Sequence, residues 1–398
     1  MVQGPGAAVT AVRAGNVFDG DRAIGPATVI VQEGSIVAIQ TRHPDPPADA
    51  VVLEFGPDVW LLPGLIDAHM HLGWDAGADP VARLMSASDH ALLEVTRCAA
   101  RKALDAGITT VRDLGDRLYS SRRFASGLEA NAWTGPRIVA AGPPLTVPGG
   151  HCYFLGGETC GEAGLRKAVR ERFEHGCQVV KVMASGGHLT PGSPPPWQSQ
   201  FSAQELAAVV HEAHGLGLST AAHAHGAGAI ADAVSAGFDT VEHCTFMTEG
   251  GISTDPLLLD RMAERGMTAS LTYGRSPGAP ALPAALAAKV PAVMKAHQEM
   301  YRAGVRIVVG TDAGIALGKD HDVLPYGLAE LTGIGMTSKE VLRSATLHAA
   351  RACGVGHRTG RLAAGMDADL LAVRGDPTRD LSALRDVVAV FRAGHRVR

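Results

Sequence analysis

The sequence contains no run of about 18 apolar residues, the minimum for a helix that crosses a bilayer, so no membrane partner is expected. Its opening, MVQGPGAAVTAVRAGNVFDG, lacks the basic-then-apolar pattern of a secretory leader. Six cysteines (Cys98, Cys152, Cys160, Cys177, Cys244 and Cys353) are scattered without CxxC spacing, which argues against a disulfide framework and a structural zinc knot. A reducing cytoplasm is the expected compartment. There is no basic block and no aromatic-studded basic stripe: 36 Lys and Arg are mixed with 40 Asp and Glu for a net charge of −4, so nucleic acid is not an expected partner. Aromatics amount to only 5% of the residues, and neither GxGxxG nor GxxxxGK(S/T) follows a first predicted strand, which removes the usual nucleotide-binding reading.

What is present is 46% hydrophobic residues spread along 398 positions, enough for a large core. A barrel of about 250 residues plus a smaller domain accounts for that length. Residues 8–60 read as short alternating strands with turns, and DADLLAVRG and DVVAVFRAGHRVR near the end have the same character. The two ends are expected to build one small β-domain, from 1–60 and 358–398, around a middle unit at 61–357. That middle alternates: apolar, β-branched runs at 60–69, 108–114, 137–142, 179–184, 218–225, 240–244, 267–273 and 306–312 are separated by stretches of helical periodicity such as AQELAAVVHEAHGLG and SKEVLRSATLHAARACG. Gly107, Gly176, Gly217, Gly237, Gly266 and Gly304 sit where helix gives way to strand and fit left-handed helix caps. Eight strand–helix alternations predict an α/β fold, a closed (β/α)8 barrel, more than an open sheet.

The polar residues that interrupt this pattern carry the chemistry. His69 and His71 end the first barrel run, LLPGLIDAHMH, and on a strand residues i and i+2 point to one side. A single histidine there is more often a packing residue; two at this spacing point to a metal pair. His223 follows STAA, His243 follows TVE and Asp312 follows VVGT, each ending an apolar run. Active sites of this barrel lie at strand C-termini, so the five groups are expected to converge on one face. Lys181 lies inside QVVKVMAS, where an ammonium is costly to bury unless it snorkels or pairs with an acid. Burial favours its neutral, nucleophilic amine. Such an amine can add carbon dioxide to form a carbamate, whose two oxygens can bridge two cations.

PGLIDAHMH, TTVRDLG, KVMASGG, AAHAHG, VEH and GTDAG, in this order, resemble the amidohydrolase superfamily, and more narrowly its branch of imidazolonepropionase-like proteins and metal-dependent Xaa-Pro dipeptidases. NVFDG and GRLAAGMDADLLAV resemble that branch's composite β-sandwich domain, so the likeness covers nearly the whole chain. The resemblance implies that His69, His71 and Asp312 bind the more buried of two divalent metal ions, and His223 and His243 the other. It also implies that Lys181, carboxylated by carbon dioxide, bridges the two. A hydroxide held between the metals would attack the substrate carbonyl while Asp312 shuttles its proton to the departing amine. Zinc suits the imidazole-rich set; manganese, iron and cobalt stay open. By the same analogy the protein is expected to be a homo-oligomer acting on a small-molecule substrate.

The remaining candidates divide between contact and structure. His225 shares a face with His223 and reads as a substrate or supporting contact. His151, after the third strand, is either a substrate contact or a solvated loop histidine. Tyr273 and Arg275, past the seventh strand, could hold a substrate carboxylate, and Arg275 could equally be solvated. His188 sits on a Pro/Gly-rich loop; 189–200 reads as a lid, a substrate wall or an oligomer contact. His211, His214, His297 and His348 read as outward-facing helix residues, and Asp113 as structural. The expected activity is hydrolysis of an amide or peptide bond in a dipeptide or N-acyl amino acid, with the Xaa-Pro dipeptidase type among the expectations. The alternative is a one-metal deaminase or imidazolone-type cyclic-amide hydrolase. Those relatives lack the bridging lysine and carry a catalytic glutamate where this chain has Gly226. A non-enzymatic barrel is a third class, but such proteins lack several of the ligands that are present here.

Overall fold

The strand-rich ends do meet in one sheet. In the computed structural model, which describes residues 9–41, 46–130 and 133–398, the N-terminal part supplies β1 (Val9–Phe18), β2 (Ala23–Gln32), β3 (Ser35–Thr41), β4 (Val51–Glu54) and β5 (Val59–Pro63). The C-terminal part supplies β15 (Leu370–Arg374), β16 (Val387–Arg392) and β17 (His395–Arg396). They pair in the order β17-β16-β15-β5-β1-β2-β3, with β4 parallel to β1. Val12, Val17, Val29, Ile36, Leu61, Leu370 and Phe391 form a core of their own beneath it.

Between these ends lie β6 (Leu65–Met70), β7 (Ile108–Asp113), β8 (Arg137–Ala140), β9 (Val179–Met183), β10 (Ser219–Gly226), β11 (Thr240–Thr248), β13 (Thr268–Thr272) and β14 (Arg306–Gly310), with the short β12 (Gly251–Ile252) antiparallel to β11. The first three pair in parallel, and so do the last five in the order β9-β10-β11-β13-β14. Two seams join the runs. At one, the Leu145 amide donates to the Lys181 carbonyl and the Met183 amide to that of Leu145, both at 2.8 Å. At the other, the Asp312 amide donates to the His69 carbonyl (2.7 Å), the His71 amide to that of Ala313 (3.0 Å), and the Thr311 hydroxyl to Asp67 (2.6 Å). A (β/α)8 barrel results, with at least one helix after each strand. Strands such as β6, β7 and β9 are buried along their whole length, which is why they read as continuous apolar runs and not as alternation. The helix Asp89–Asp105 turns Leu92, Thr96, Ala99, Ala103 and Leu104 inward at helical spacing.

The run at 60–69 is two strands, not one. Gly64 divides β5, in the terminal sheet, from β6, in the barrel; a Cβ there would stand 2.1 Å from Thr109 Oγ1, so only glycine lets the chain cross between the two layers. The helical stretch 338–354 is likewise broken, into Ser338–Ser344 and Leu347–Ala352. The Ala345 carbonyl at the break accepts from the Ile66 amide (2.8 Å), so a tertiary bond replaces a helical one. The six predicted cap glycines all have positive φ. All six cysteines are free thiols, and among the described residues no helix is long and apolar enough to cross a membrane.

Candidate metal centre

The barrel mouth gathers the chemistry-bearing side chains. His69 and His71 arrive on the end of β6, Lys181 on β9, His223 and His225 on β10, His243 on β11 and Asp312 just past β14. All of them line one cavity of about 450 Å3, together with His151, Tyr273 and Arg275.

The metal-ligating types fall into two groups, each with ligand atoms within 4.8 Å of one another: His69, His71 and Asp312, and His223, His225 and His243. In the first, Asp312 Oδ1 lies 3.0 Å from His71 Nε2 and 3.5 Å from His69 Nε2. The other nitrogens are spoken for: His69 Nδ1 meets Glu242 Oε2 at 2.9 Å and His71 Nδ1 meets the Gly115 carbonyl at 2.8 Å. Both Nδ1 atoms are therefore engaged, and two Nε2 atoms and a carboxylate converge. Against the opposing effect of burial, the Asp312 carboxylate raises the His71 imidazole, so the group can share a proton, and the same three atoms are a donor set suited to a divalent cation. Burial alone would raise the Asp312 carboxyl, but the His71 contact and the His69 and His71 charges outweigh it and hold it well below the usual carboxylate range. Burial pushes the His69 imidazole down to about 4, so it is neutral and fit to be a ligand.

In the second group the rings are packed edge and face: His225 stacks on His243 at 4.5 Å, and His223 meets both, at 4.8 and 4.6 Å. His243 Nδ1 is held by Thr272 Oγ1 (3.0 Å), His225 Nδ1 by Thr245 Oγ1 (3.0 Å) and His223 Nε2 by the Gly186 carbonyl (3.1 Å), leaving one nitrogen of each ring uncommitted. Burial, with neighbouring histidines second, drives His223 and His243 well below their ordinary range and His225 to about 3. His225, read from the sequence as a substrate or supporting contact, lies within reach of the same ligand atoms as His223 and His243.

Lys181 is 2% exposed and its Nζ has no hydrogen-bond partner. Burial, against the opposing fields of Glu242 and Asp312, lowers the amine to about 8. A buried, unpartnered amine is a costly group in a strand interior, and it lines the same cavity as both histidine groups.

His151 is buried, with its ring 4.7 Å from that of His223, so it belongs to the site and is not a solvated loop residue. Arg275 lines the cavity while one of its nitrogens is held by the Pro280 carbonyl. Tyr273 also lines it, but its hydroxyl donates to His297 Nδ1 at 2.8 Å. His297 corrects an expectation. It is buried on the inner face of the helix Val290–Arg302, and its Nε2 reaches the carbonyls of His243 and Cys244 at 3.1 Å each. His211 and His214 are exposed, His348 is half-buried, and Asp113 binds the Leu72 and Gly115 amides and the Ser121 hydroxyl, a structural role. The stretch 189–200 folds back on the end of β9, with the Gln200 amide on the Ala184 carbonyl (2.8 Å), and Leu189 faces the cavity.

Two residues that sequence reasoning passed over orient the first group. The Glu242 carboxylate lies between His69 Nδ1 and Arg112 Nη2, each at 2.9 Å, and all three are buried. Burial would raise this carboxyl, but the Arg112 guanidinium and the His69 ring hold it below its ordinary range. The signal was visible as charges inside apolar strands, in VEH and TTVRDLG. The two glycines of GTDAG also have steric reasons. A Cβ on Gly310 would stand 2.2 Å from His69 Cβ, and one on Gly314 2.5 Å from the His71 carbonyl. His243 (φ 69°) and Cys244 (φ 49°) within β11, and Asp312 (φ 56°) just past β14, take left-handed backbone, the kind of strain that concentrates at functional sites.

Comparison with known proteins places the chain among relatives of known activity. Ochratoxinase from Aspergillus niger is 29% identical over 367 residues, covering 83% of this chain and 73% of that protein. Imidazolonepropionase from Pseudomonas entomophila (strain L48) is 27% identical over 409 residues, covering 90% of each. The crystal structure of a Xaa-Pro dipeptidase with bound methionine in the active site superposes with a TM-score of 0.86 at 25% identity, over 98% of this chain and 100% of that one. The amidohydrolase family itself matches residues 60–397, from the strand before the first histidine pair almost to the C-terminus. On that match the chain belongs to the amidohydrolase family and is a hydrolase of carbon–nitrogen bonds.

Proposed function

We propose that the protein is a two-metal hydrolase that cleaves the amide bond of a small substrate, a dipeptide or an N-acyl amino acid. The observation that carries this reading is Lys181, a buried amine without a partner beside two groups of metal-ligating side chains. His69, His71 and Asp312 would hold one divalent cation and His223 and His243 the other, with Lys181 carboxylated on Nζ between them. Zinc suits this donor set. When bound, such a pair acidifies water and polarises a carbonyl. Asp312, ionised where it stands, takes the proton of the attacking water and returns it to the departing amine. Arg275 holds the substrate carboxylate, and His151 and His225 flank the amide.

A one-metal deaminase is the other reading, and Gly226 weighs against it. The Cβ of any larger residue there would lie 2.5 Å from the Trp197 carbonyl, so the backbone has no room for the glutamate that chemistry uses.

The test is a metal count on zinc-loaded protein beside turnover of dipeptides and N-acyl amino acids. Two metals per chain and amide cleavage are expected; one metal with ammonia release would move the assignment to a deaminase, and no metal would sink both. His225→Asn retaining two metals keeps His225 as a substrate contact. Glu242→Gln removes the charge that fixes His69, and metal affinity is expected to fall about 10–100-fold, read by chelator competition.

A further inference from the structure

The cavity is uneven in charge. Leu286, Val290 and Met294, from the segment after β13 and the helix Val290–Arg302, line it, as do Trp74, Leu155 and Leu189. Besides Lys181, its basic side chains are Arg275, Lys289 and Lys319, and Lys319 spends hydrogen bonds on the Thr272 (3.1 Å) and Thr311 (2.8 Å) carbonyls. Only two carboxylates line it among the described residues, Asp312 and Glu330. Asp312 is turned toward His71 and His69. Glu330 accepts from the Gly274 backbone and lies in the fields of Lys319 and Arg275.

A free dipeptide brings an α-ammonium into this space. The ammonium would leave water for a space whose one carboxylate outside the ligand groups, Glu330, already lies in the fields of Lys319 and Arg275, and it would stand among cations. An acyl group in place of the aminoacyl group removes that cost. A volume of about 450 Å3 also exceeds what an acetyl group fills, and each further methylene moved from water onto an apolar wall is worth about fourfold in affinity.

Resting on the amide-hydrolase reading above, we infer that the substrate is an N-acyl amino acid with a bulky apolar acyl group, and that free dipeptides are poor substrates. The amino-acid carboxylate faces the Arg275 and Lys319 side, and the acyl chain lies on the apolar wall.

The pair that isolates the ammonium is Leu-Leu against N-(4-methylpentanoyl)-leucine, its des-amino counterpart. The pair that isolates the wall is N-acetyl-leucine against N-octanoyl-leucine. On metal-loaded protein kcat/KM should favour the des-amino compound over Leu-Leu by about 100-fold or more, and octanoyl over acetyl by at least about tenfold. Parity within either pair overturns the inference while leaving amide hydrolysis intact. If none of the four is cleaved, the hydrolase reading fails by itself, and calorimetric binding of the same pairs decides the pocket. Tighter binding of the des-amino and octanoyl members then supports it, and equal affinities overturn it.

Discussion

Lys181→Met should separate stability from function. The substitution replaces a buried amine that has no hydrogen-bond partner with an apolar chain of similar length. Leaving such a group unsatisfied costs about 1–3 kcal/mol, so the metal-free variant is expected to unfold at higher denaturant than the metal-free parent, by an amount in that range. Activity should move the other way. Without a carbamate between the two groups the pair of cations is not held, and the several kcal/mol they contribute to the transition state amount to a loss of about a thousandfold or more in kcat/KM. Acid denaturation of the parent should release carbon dioxide, one per chain, and the variant none. Retained metal and activity in the variant would end the assignment of Lys181 as a bridge, whatever the melting data showed.

Asp312→Asn should produce the second large effect. The amide keeps the shape of the side chain but can neither accept the proton of the attacking water nor balance His71 and His69, which stand 3.0 and 3.5 Å from its oxygen. Loss of a positioned proton carrier lowers kcat by about 10²–10⁴-fold. Because the residue also belongs to the first ligand group, metal content should drop at one of the two sites, and counting metals alongside kcat distinguishes the two roles. A kcat within tenfold of the parent at full metal content would remove Asp312 from proton transfer.

The positions of the site residues were legible for one physical reason: each is a polar group that interrupts an apolar run at or near a strand's C-terminal end. His69, His71, His223, His243 and Asp312 stand out that way, and Lys181 as a charge inside a strand. The barrel was legible too, because fully buried parallel strands and amphipathic helices leave different periods in the sequence. Residues whose meaning depends on register were not legible. Glu242 and Arg112 lie on strands that were predicted, but their contact joins side chains 130 positions apart, and nothing local announces it. His297 was misread because a helix outside the barrel still has an inner face, and the spacing Ala296, His297, Met300 does not by itself say which face that is. The split at Gly64 was hidden because two short buried strands in succession look like one long run. Strand parity puts His225 on the same side as His223, but it does not say whether that ring meets a metal or a substrate.

The seam between β6 and β14 has a consequence for biosynthesis. Asp67 and Thr311, bonded across it, are 244 residues apart in the chain, and bringing such ends together costs about 5 kcal/mol in closure entropy before any contact repays it. His69 and Asp312 sit beside that bond, so the first ligand group cannot exist on a nascent chain until the eighth barrel strand has left the ribosome and docked. A partly synthesised molecule would present the histidine pair without its carboxylate and hold a cation weakly. On the proposed two-metal reading, acquisition of the full complement would mark a finished, closed barrel, and contact order this long places that event late in folding.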